Sequence, residues 1–142
     1  MKRPEIITKK YLNWLQYKVI GAAIEVHRHL GPGLLESVYE KALFYELKLR
    51  GFHTETQKMI PVYYKEFLLE VDFRFDILVE NLLLVENKSV MEVHPLFESI
   101  LMTYMKHLKK PKGIILNFNV QNLVKEGCRI FVNEYYADLP EE

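Results

Sequence analysis

The sequence predicts an α/β fold in which a mixed central β-sheet is flanked by helices. Two amphipathic segments come first, two strand-like runs separated by a polar pair follow, and a continuous apolar run lies nearer the carboxyl end. The predicted order of helix, helix, three strands, helix, strand and strand is typical of an α/β core. Because the chain has 142 residues, 49% of them hydrophobic, we expect residues 1–142 to form a single domain.

Three segments have the apolar periodicity of helices. In residues 10–30 apolar side chains recur at spacings of three and four, and the segment ends at a Gly-Pro-Gly sequence. A second helix is predicted up to Gly51, and a third over residues 95–109, stopped by Pro111. The apolar stripe that we expect the second helix to bury consists of Leu35, Val38, Ala42, Tyr45 and Leu49.

The remaining apolar segments predict strands. Residues 54–64 fit an edge strand, because Pro61 cannot donate a ladder hydrogen bond. Residues 71–79 and 82–90 are two further strands, and residues 113–118 form an unbroken apolar run that suits a strand covered on both faces. Residues 129–132 predict a short last strand, after which we expect a frayed acidic end.

The strongest chemical signal lies on the two strands at 71–79 and 82–90. Asp76 is on the first strand, and Glu86 and Lys88 are two residues apart on the second, so the latter two share a face. Two carboxylates can hold Mg²⁺ or Mn²⁺, and a lysine can polarise a water or stabilise charge on phosphate. The alternative is a structural ion pair between Glu86 and Lys88, with Asp76 on a solvated strand face.

Pairing arithmetic sets a condition on this site. A two-residue hairpin loop at Glu80-Asn81 would pair Val79 with Leu82 and place Asp76 and Glu86 on opposite faces of the sheet. A shared metal ion requires the same face. The sequence therefore predicts an odd-length loop or a β-bulge between the two carboxylates.

A second motif lies between the first two helices. The segment Gly33-x-x-Glu36-x-x-Tyr39 resembles the motif of the GxxExxY family, which is placed among the PD-(D/E)xK nuclease-like proteins, and the resemblance extends through Asp76, Glu86 and Lys88. It implies a restriction-endonuclease-like core and a catalytic role for Glu36 as an additional metal ligand. Tyr39 could orient Glu36 or contact substrate; packing of Tyr39 in the core and a simple helix-end role for Glu36 remain alternatives.

The charges are balanced overall, with 19 basic and 19 acidic residues, so any nucleic-acid binding must be local. The densest basic segment is 106–112. It is either a solvated turn at a helix end or a patch that binds phosphates. Its candidate substrate-binding residues are Lys106, Lys109, Lys110 and Lys112. Cys128 is the only cysteine, which excludes an intrachain disulfide. With no apolar run suited to a signal peptide or a membrane span, we expect a cytoplasmic protein without membrane contact.

Together these features predict a metal-dependent phosphodiesterase that acts on DNA or RNA. Asp76, Glu86 and Glu36 would hold Mg²⁺ or Mn²⁺, and Lys88 would activate water or stabilise the charge on phosphate. The alternative is a non-catalytic nuclease-like protein that binds nucleic acid or forms a homo-oligomer and keeps the charge cluster for structural reasons.

Overall fold

A five-stranded mixed sheet forms the centre of the computed structural model, which describes residues 1–142. The strand order is β1-β4-β5-β6-β7, and β2 and β3 form a separate two-stranded sheet. The helices are α1 (Lys9–Leu30), α2 (Glu36–Leu49), α3 (Pro95–Leu108) and α4 (Glu134–Ala137). The strands are β1 (Thr54–Thr56), β2 (Val62–Tyr64), β3 (Phe67–Leu69), β4 (Ile77–Val79), β5 (Leu83–Lys88), β6 (Lys112–Asn117) and β7 (Cys128–Val132). This architecture confirms the predicted restriction-endonuclease-like fold.

The central strand β5 pairs with β4 in antiparallel and with β6 in parallel orientation. One hydrophobic cluster packs α1 and α2 against one face of the sheet, through residues such as Leu15, Leu43 and Val85. A second cluster packs α3 against the other face, through residues such as Leu84 and Met105. Burial on both faces explains why the sequence from Leu82 to Val85 is apolar without alternation.

The two long amino-terminal helices are where the sequence predicts them. The side chain of Thr8 caps α1 by accepting a hydrogen bond from the backbone N–H of Tyr11, at 3.0 Å. The predicted buried stripe of α2 is wrong, because that helix buries the neighbouring stripe of Tyr39, Leu43 and Leu47. Most of the predicted stripe faces solvent instead, namely Leu35, Val38, Tyr45 and Leu49.

The strands are shorter than the sequence suggests. The predicted edge strand at 54–64 is interrupted over residues 57–61, which leaves β1 at the sheet edge and β2 outside the sheet. Of the predicted strand at 71–79 only the last three residues join the central sheet, as β4. The excursion between β1 and β4 is a projecting hairpin made of β2 and β3.

The carboxyl-terminal segment is ordered, so the expectation of a frayed end is wrong. After β7 the chain forms the short helix α4, and the backbone N–H groups of Lys9 and Lys10 then donate to the carbonyls of Pro140 and Glu141. These bonds satisfy donors in the first turn of α1, which have no partner inside the helix. No helix of the protein combines the length and the apolar character needed to cross a membrane.

Candidate active site

The turn between β4 and β5 decides where the two carboxylates lie. Val79 pairs with Leu83 and Ile77 with Val85, so the loop has three residues, Glu80 to Leu82. Continued by one step, this register sets Asp76 directly opposite Glu86, on the same face of the sheet. The predicted odd-length loop is therefore confirmed. Glu80 and Asn81 take φ values of 53° and 57°, the left-handed conformation that closes the turn.

Hydrogen bonds join the two carboxylates to each other's strands. The backbone N–H of Asp76 donates to Oε1 of Glu86 at 3.2 Å, and the backbone N–H of Asn87 donates to Oδ2 of Asp76 at 2.9 Å. Each carboxylate is thus held against the opposite backbone. The arrangement fixes both side chains at the end of the sheet where β5 finishes.

Burial disfavours the ionised forms of both acids, and the charge of a neighbouring carboxylate adds to this effect. Glu86 is only 6% exposed. Desolvation, followed by the negative charge of Asp76, raises the pKa of Glu86 well above its ordinary value. Desolvation also raises the pKa of Asp76, and the charge of Glu36 adds to that shift. A cation placed between the two carboxylates would relieve this repulsion, which is the electrostatic condition of a metal site.

Lys88 lies on the same face as Glu86, as the period of two requires. Its ammonium sits 4.2 Å from the ring centroid of Phe97, in the first turn of α3. Its positive charge lowers the pKa of both Asp76 and Glu86, although less than burial raises them. The structure therefore brings Asp76, Glu86 and Lys88 together, as predicted from the two strands.

The Gly33, Glu36 and Tyr39 motif forms the loop that connects α1 to α2 and ties it to the end of β5. Gly33 has a φ of 97°, which favours glycine, and Glu36 begins α2. Oε2 of Glu36 accepts a hydrogen bond from the backbone N–H of Ser89 at 3.3 Å. The Ser89 hydroxyl donates to the carbonyl of Leu34 at 2.5 Å. Glu36 is thus anchored one residue beyond Lys88.

Tyr39 is fully buried, so its predicted contact with substrate is wrong. Its ring stacks on Phe118 at 4.4 Å between centroids. Its hydroxyl donates to the carbonyl of Gly31 and accepts from the N–H of Leu34. Both bonds hold the loop that leads into Glu36, which leaves Tyr39 a positioning role.

Glu36 does not complete a three-carboxylate metal cluster. No group of three or more His, Cys, Asp or Glu side chains is arranged to hold a metal ion. Asp76 and Glu86 are therefore the pair of ligands that the structure brings together, and a role for Glu36 as a third ligand stays a prediction. Two carboxylates still fit Mg²⁺, which typically takes one or two protein carboxylates and completes its octahedron with water and phosphate oxygens.

Two polar residues that the sequence analysis missed border the site. Nε2 of Gln57 donates to Oε1 of Glu40 at 2.6 Å and to Oδ1 of Asp76 at 3.3 Å. Desolvation raises the pKa of Glu40, and the charge of Asp76 adds to the shift. Glu40 lies one helical turn after Glu36 on α2, a spacing that would have identified it once α2 was placed beside the strands.

Tyr104 of α3 lies near enough to the carboxylates to be influenced by their charges. Desolvation, followed by the charges of Glu86 and Asp76, raises its pKa to about 12, so its hydroxyl keeps its proton near neutral pH. Its ring makes an edge contact with Phe73, at 4.7 Å between centroids. Only the structure shows that Tyr104 is near the acids.

Asn87 separates the two charged residues of β5 and points to the opposite face. The residue is 1% exposed, and neither polar atom of its side chain has a hydrogen-bond partner. A buried amide without partners is unfavourable by about 1–3 kcal/mol. The strand therefore carries a destabilising group beside its charged residues.

The predicted basic patch at 106–112 does not form one surface. Lys112 is 3% exposed; its ammonium donates to Oδ1 of Asn13 at 2.6 Å and lies 5.0 Å from the ring centroid of Tyr136. Lys110 is half-buried and donates to Oδ1 of Asn81. The burial of Lys112 argues against substrate binding by this residue, whereas substrate binding by Lys110 and by the exposed Lys106 and Lys109 stays a prediction. Lys112 pairs with Leu83, at the end of β5 remote from Glu86.

Comparison with known proteins defines the class of this protein. A family model described as the PD-(D/E)XK nuclease superfamily matches residues 13–130, so the chain belongs to that superfamily. Neither a curated protein nor a solved structure matches the chain significantly. Nucleases of this superfamily generally use divalent metals, and membership indicates a nuclease-like protein.

Proposed function

We propose that the protein is a metal-dependent phosphodiesterase that hydrolyses DNA or RNA, with Asp76 and Glu86 as ligands of Mg²⁺ or Mn²⁺. The observation that carries the proposal is that half-buried Asp76 and buried Glu86 lie directly opposite each other on adjacent strands, with Lys88 on the same face. A structural ion pair would match one acid with one base, whereas this site has an excess of negative charge. That excess suits a divalent cation.

The side chains would divide the chemistry as follows. Asp76 and Glu86 hold the cation, which when bound supplies charge neutralisation and a more acidic water. Lys88, packed on Phe97, stabilises the negative charge that builds on the phosphate while water adds across one P–O ester bond. Glu36, anchored to Ser89, orients the surrounding water network. Lys106 and Lys109 contact phosphates of the substrate that lie away from the cleavage site.

We further propose that the chain belongs to the GxxExxY branch of the superfamily. The support is the loop geometry. Gly33 provides the turn, Glu36 bonds to Ser89 after the end of β5, and the Tyr39 hydroxyl holds the loop by its hydrogen bond to Gly31. In this interpretation the motif holds the Glu36 carboxylate at Ser89, where its charge still acts on Asp76.

The direct test measures cleavage and metal binding on the same preparations. Purified protein should nick or degrade a nucleic acid in Mg²⁺ or Mn²⁺, and a chelator should stop the reaction. Glu86→Ala should abolish metal binding in calorimetry, because one of two charged ligands is lost, whereas Glu92→Ala changes an exposed acid and should bind as the wild type does. Absence of divalent-cation binding by the wild type would refute the proposal.

A further inference from the structure

The hairpin arm, residues 59–71, carries an apolar surface that nothing in the fold covers. It leaves the sheet after β1 and returns just before Asp76. At its base the arm is fastened to the core by Ile60, which is 1% exposed and whose N–H donates to the carbonyl of Phe73. Beyond that base it consists of β2 and β3, which pair with each other and with no other strand.

Both faces of the arm are apolar. The pairs Val62 with Leu69 and Tyr64 with Phe67 share one face, and the pair Tyr63 with Leu68 lies on the other. A surface hairpin normally packs one face on its own core and presents a polar face to water. An isolated two-stranded ribbon is at best marginally stable in water. The arm therefore lacks the covering that its composition requires.

The exposed area of the arm is that of an interface. Tyr63, Tyr64 and Phe67 are 58%, 64% and 72% exposed. At about 200 Å² for each aromatic side chain, these three alone present roughly 400 Å² to solvent. The largest apolar patch of a typical monomer is about 300–600 Å², and four further apolar side chains of the arm, Met59, Leu68, Leu69 and Val71, are also exposed. The total approaches the roughly 800 Å² that each partner of a standard interface buries.

Charge identifies the kind of partner. Residues 58–74 carry three basic side chains, Lys58, Lys65 and Arg74, and three acidic ones, Glu66, Glu70 and Asp72. Surfaces that bind nucleic acid are polar and strongly positive, so this neutral, aliphatic and aromatic surface fits protein. A neutral surface also does not repel a second copy of itself, as a strongly charged one would.

We propose that the hairpin arm is the contact surface of a homodimer, in which two copies of this chain cover each other's arms. A two-fold axis brings the same patch from each copy together. An open cleft of about 620 Å³ at the base of the arm, lined by Met59, Pro61, Leu68 and Val71 among others, receives the aromatic tip of the other copy. Because only residues 72–75 separate the arm from Asp76, the dimer contact is close along the chain to the candidate active site.

Sedimentation equilibrium with matched variants tests the proposal. The wild-type protein should be a reversible dimer. Tyr64→Gln with Phe67→Gln should raise the dissociation constant by at least about 100-fold, since aromatic residues at interface centres dominate affinity. The control, Tyr45→Gln with Leu49→Gln, removes side chains of similar exposure from α2 and should leave the dimer intact. Circular dichroism confirms that each variant is folded.

A second measurement keeps the result independent of the variants. Amide hydrogen exchange of residues 62–69 in the wild type should slow as the protein concentration rises through the dissociation constant. A wild-type protein that stays monomeric at every concentration overturns the proposal, as does an arm variant that dimerises like the wild type. A monomer whose affinity for single-stranded oligonucleotides falls in the arm variant would instead assign the arm to nucleic acid.

Discussion

The two ends of the central sheet each bury a charged side chain, but with opposite kinds of neighbour. At one end Lys112 is buried, but a carboxamide oxygen accepts from its ammonium and an aromatic ring faces it. At the other end Glu86 is buried beside a second carboxylate, whose charge raises its pKa further. A buried charge with neutral, fitted partners indicates a structural role, whereas one left beside a like charge indicates a site that a cation completes.

The largest expected effect separates Lys88 from the lysines at the remote end. Lys88→Ala should lower turnover by about 10²–10³, because a preorganised charge near the phosphate is lost. Metal binding by calorimetry should persist, since both carboxylates remain. Lys10→Ala, at an exposed position in the first turn of α1, serves as the control and should cleave at the wild-type rate within about twofold. Equal turnover in the two variants would remove Lys88 from the mechanism.

The remote end should show its own pH dependence. Burial lowers the pKa of Lys112 from 10.5 to about 8, so the unfolded chain binds the proton more tightly. The free energy of unfolding should therefore rise between pH 8 and 10.5, by up to about 3 kcal/mol. Urea unfolding of the wild type and of Lys112→Met should differ in slope across this window. Parallel curves would show that the ammonium is solvated in the folded protein.

The carboxylate end should respond in the reverse sense. The folded pKa of Glu86 is raised, so its contribution to stability is full below the ordinary pKa and is lost as pH rises. In a chelator, Glu86→Gln should therefore be more stable than the wild type at pH 7 by on the order of 1 kcal/mol, and the difference should vanish near pH 4. Urea unfolding with Glu92→Gln as the control checks this. A destabilised Glu86→Gln variant at pH 7 would contradict the proposed repulsion.

Asn87 allows a test of the cost of an unpaired buried amide beside the carboxylates. Asn87→Val removes a buried amide without partners and should raise the free energy of unfolding by about 1 kcal/mol. The backbone N–H that donates to Asp76 is unchanged by this substitution. Thermal denaturation measures the effect. A loss of stability would mean that the side chain does have a partner, such as an internal water.

The smallest expected effect concerns the exposed lysines. Replacing Lys106 and Lys109 by Gln should reduce the slope of log affinity against log salt by at most about 2 units. Adding Lys110→Gln should change the slope no further, because that side chain is engaged by Asn81. Binding titrations at several salt concentrations test this. A further drop on the third substitution would show that Lys110 reaches a phosphate.

The sequence was sufficient to predict the hairpin that carries the site. Side chains alternate along a strand, and Asp76 and Glu86 must share a face to share a metal ion, so the loop had to contain an odd number of residues. It was insufficient for α2, which has apolar side chains on more than one side, so that periodicity alone did not separate Leu43 from Leu49. It also failed at the basic segment. There the chain turns through Lys109, at a φ of 56°, and sends neighbouring lysines to different surroundings.

The hydrogen bond between Glu36 and Ser89 has a consequence for the order of folding. Asp76 and Glu86 are ten positions apart in one hairpin, whereas Glu36 meets Ser89 across 53 positions. Closing a short loop restricts the chain less than closing a long one, and local contacts form earlier. We therefore expect the carboxylate pair to assemble first and Glu36 to arrive only when α2 docks. Refolding followed by pulsed hydrogen exchange should protect Asn87 before Ser89.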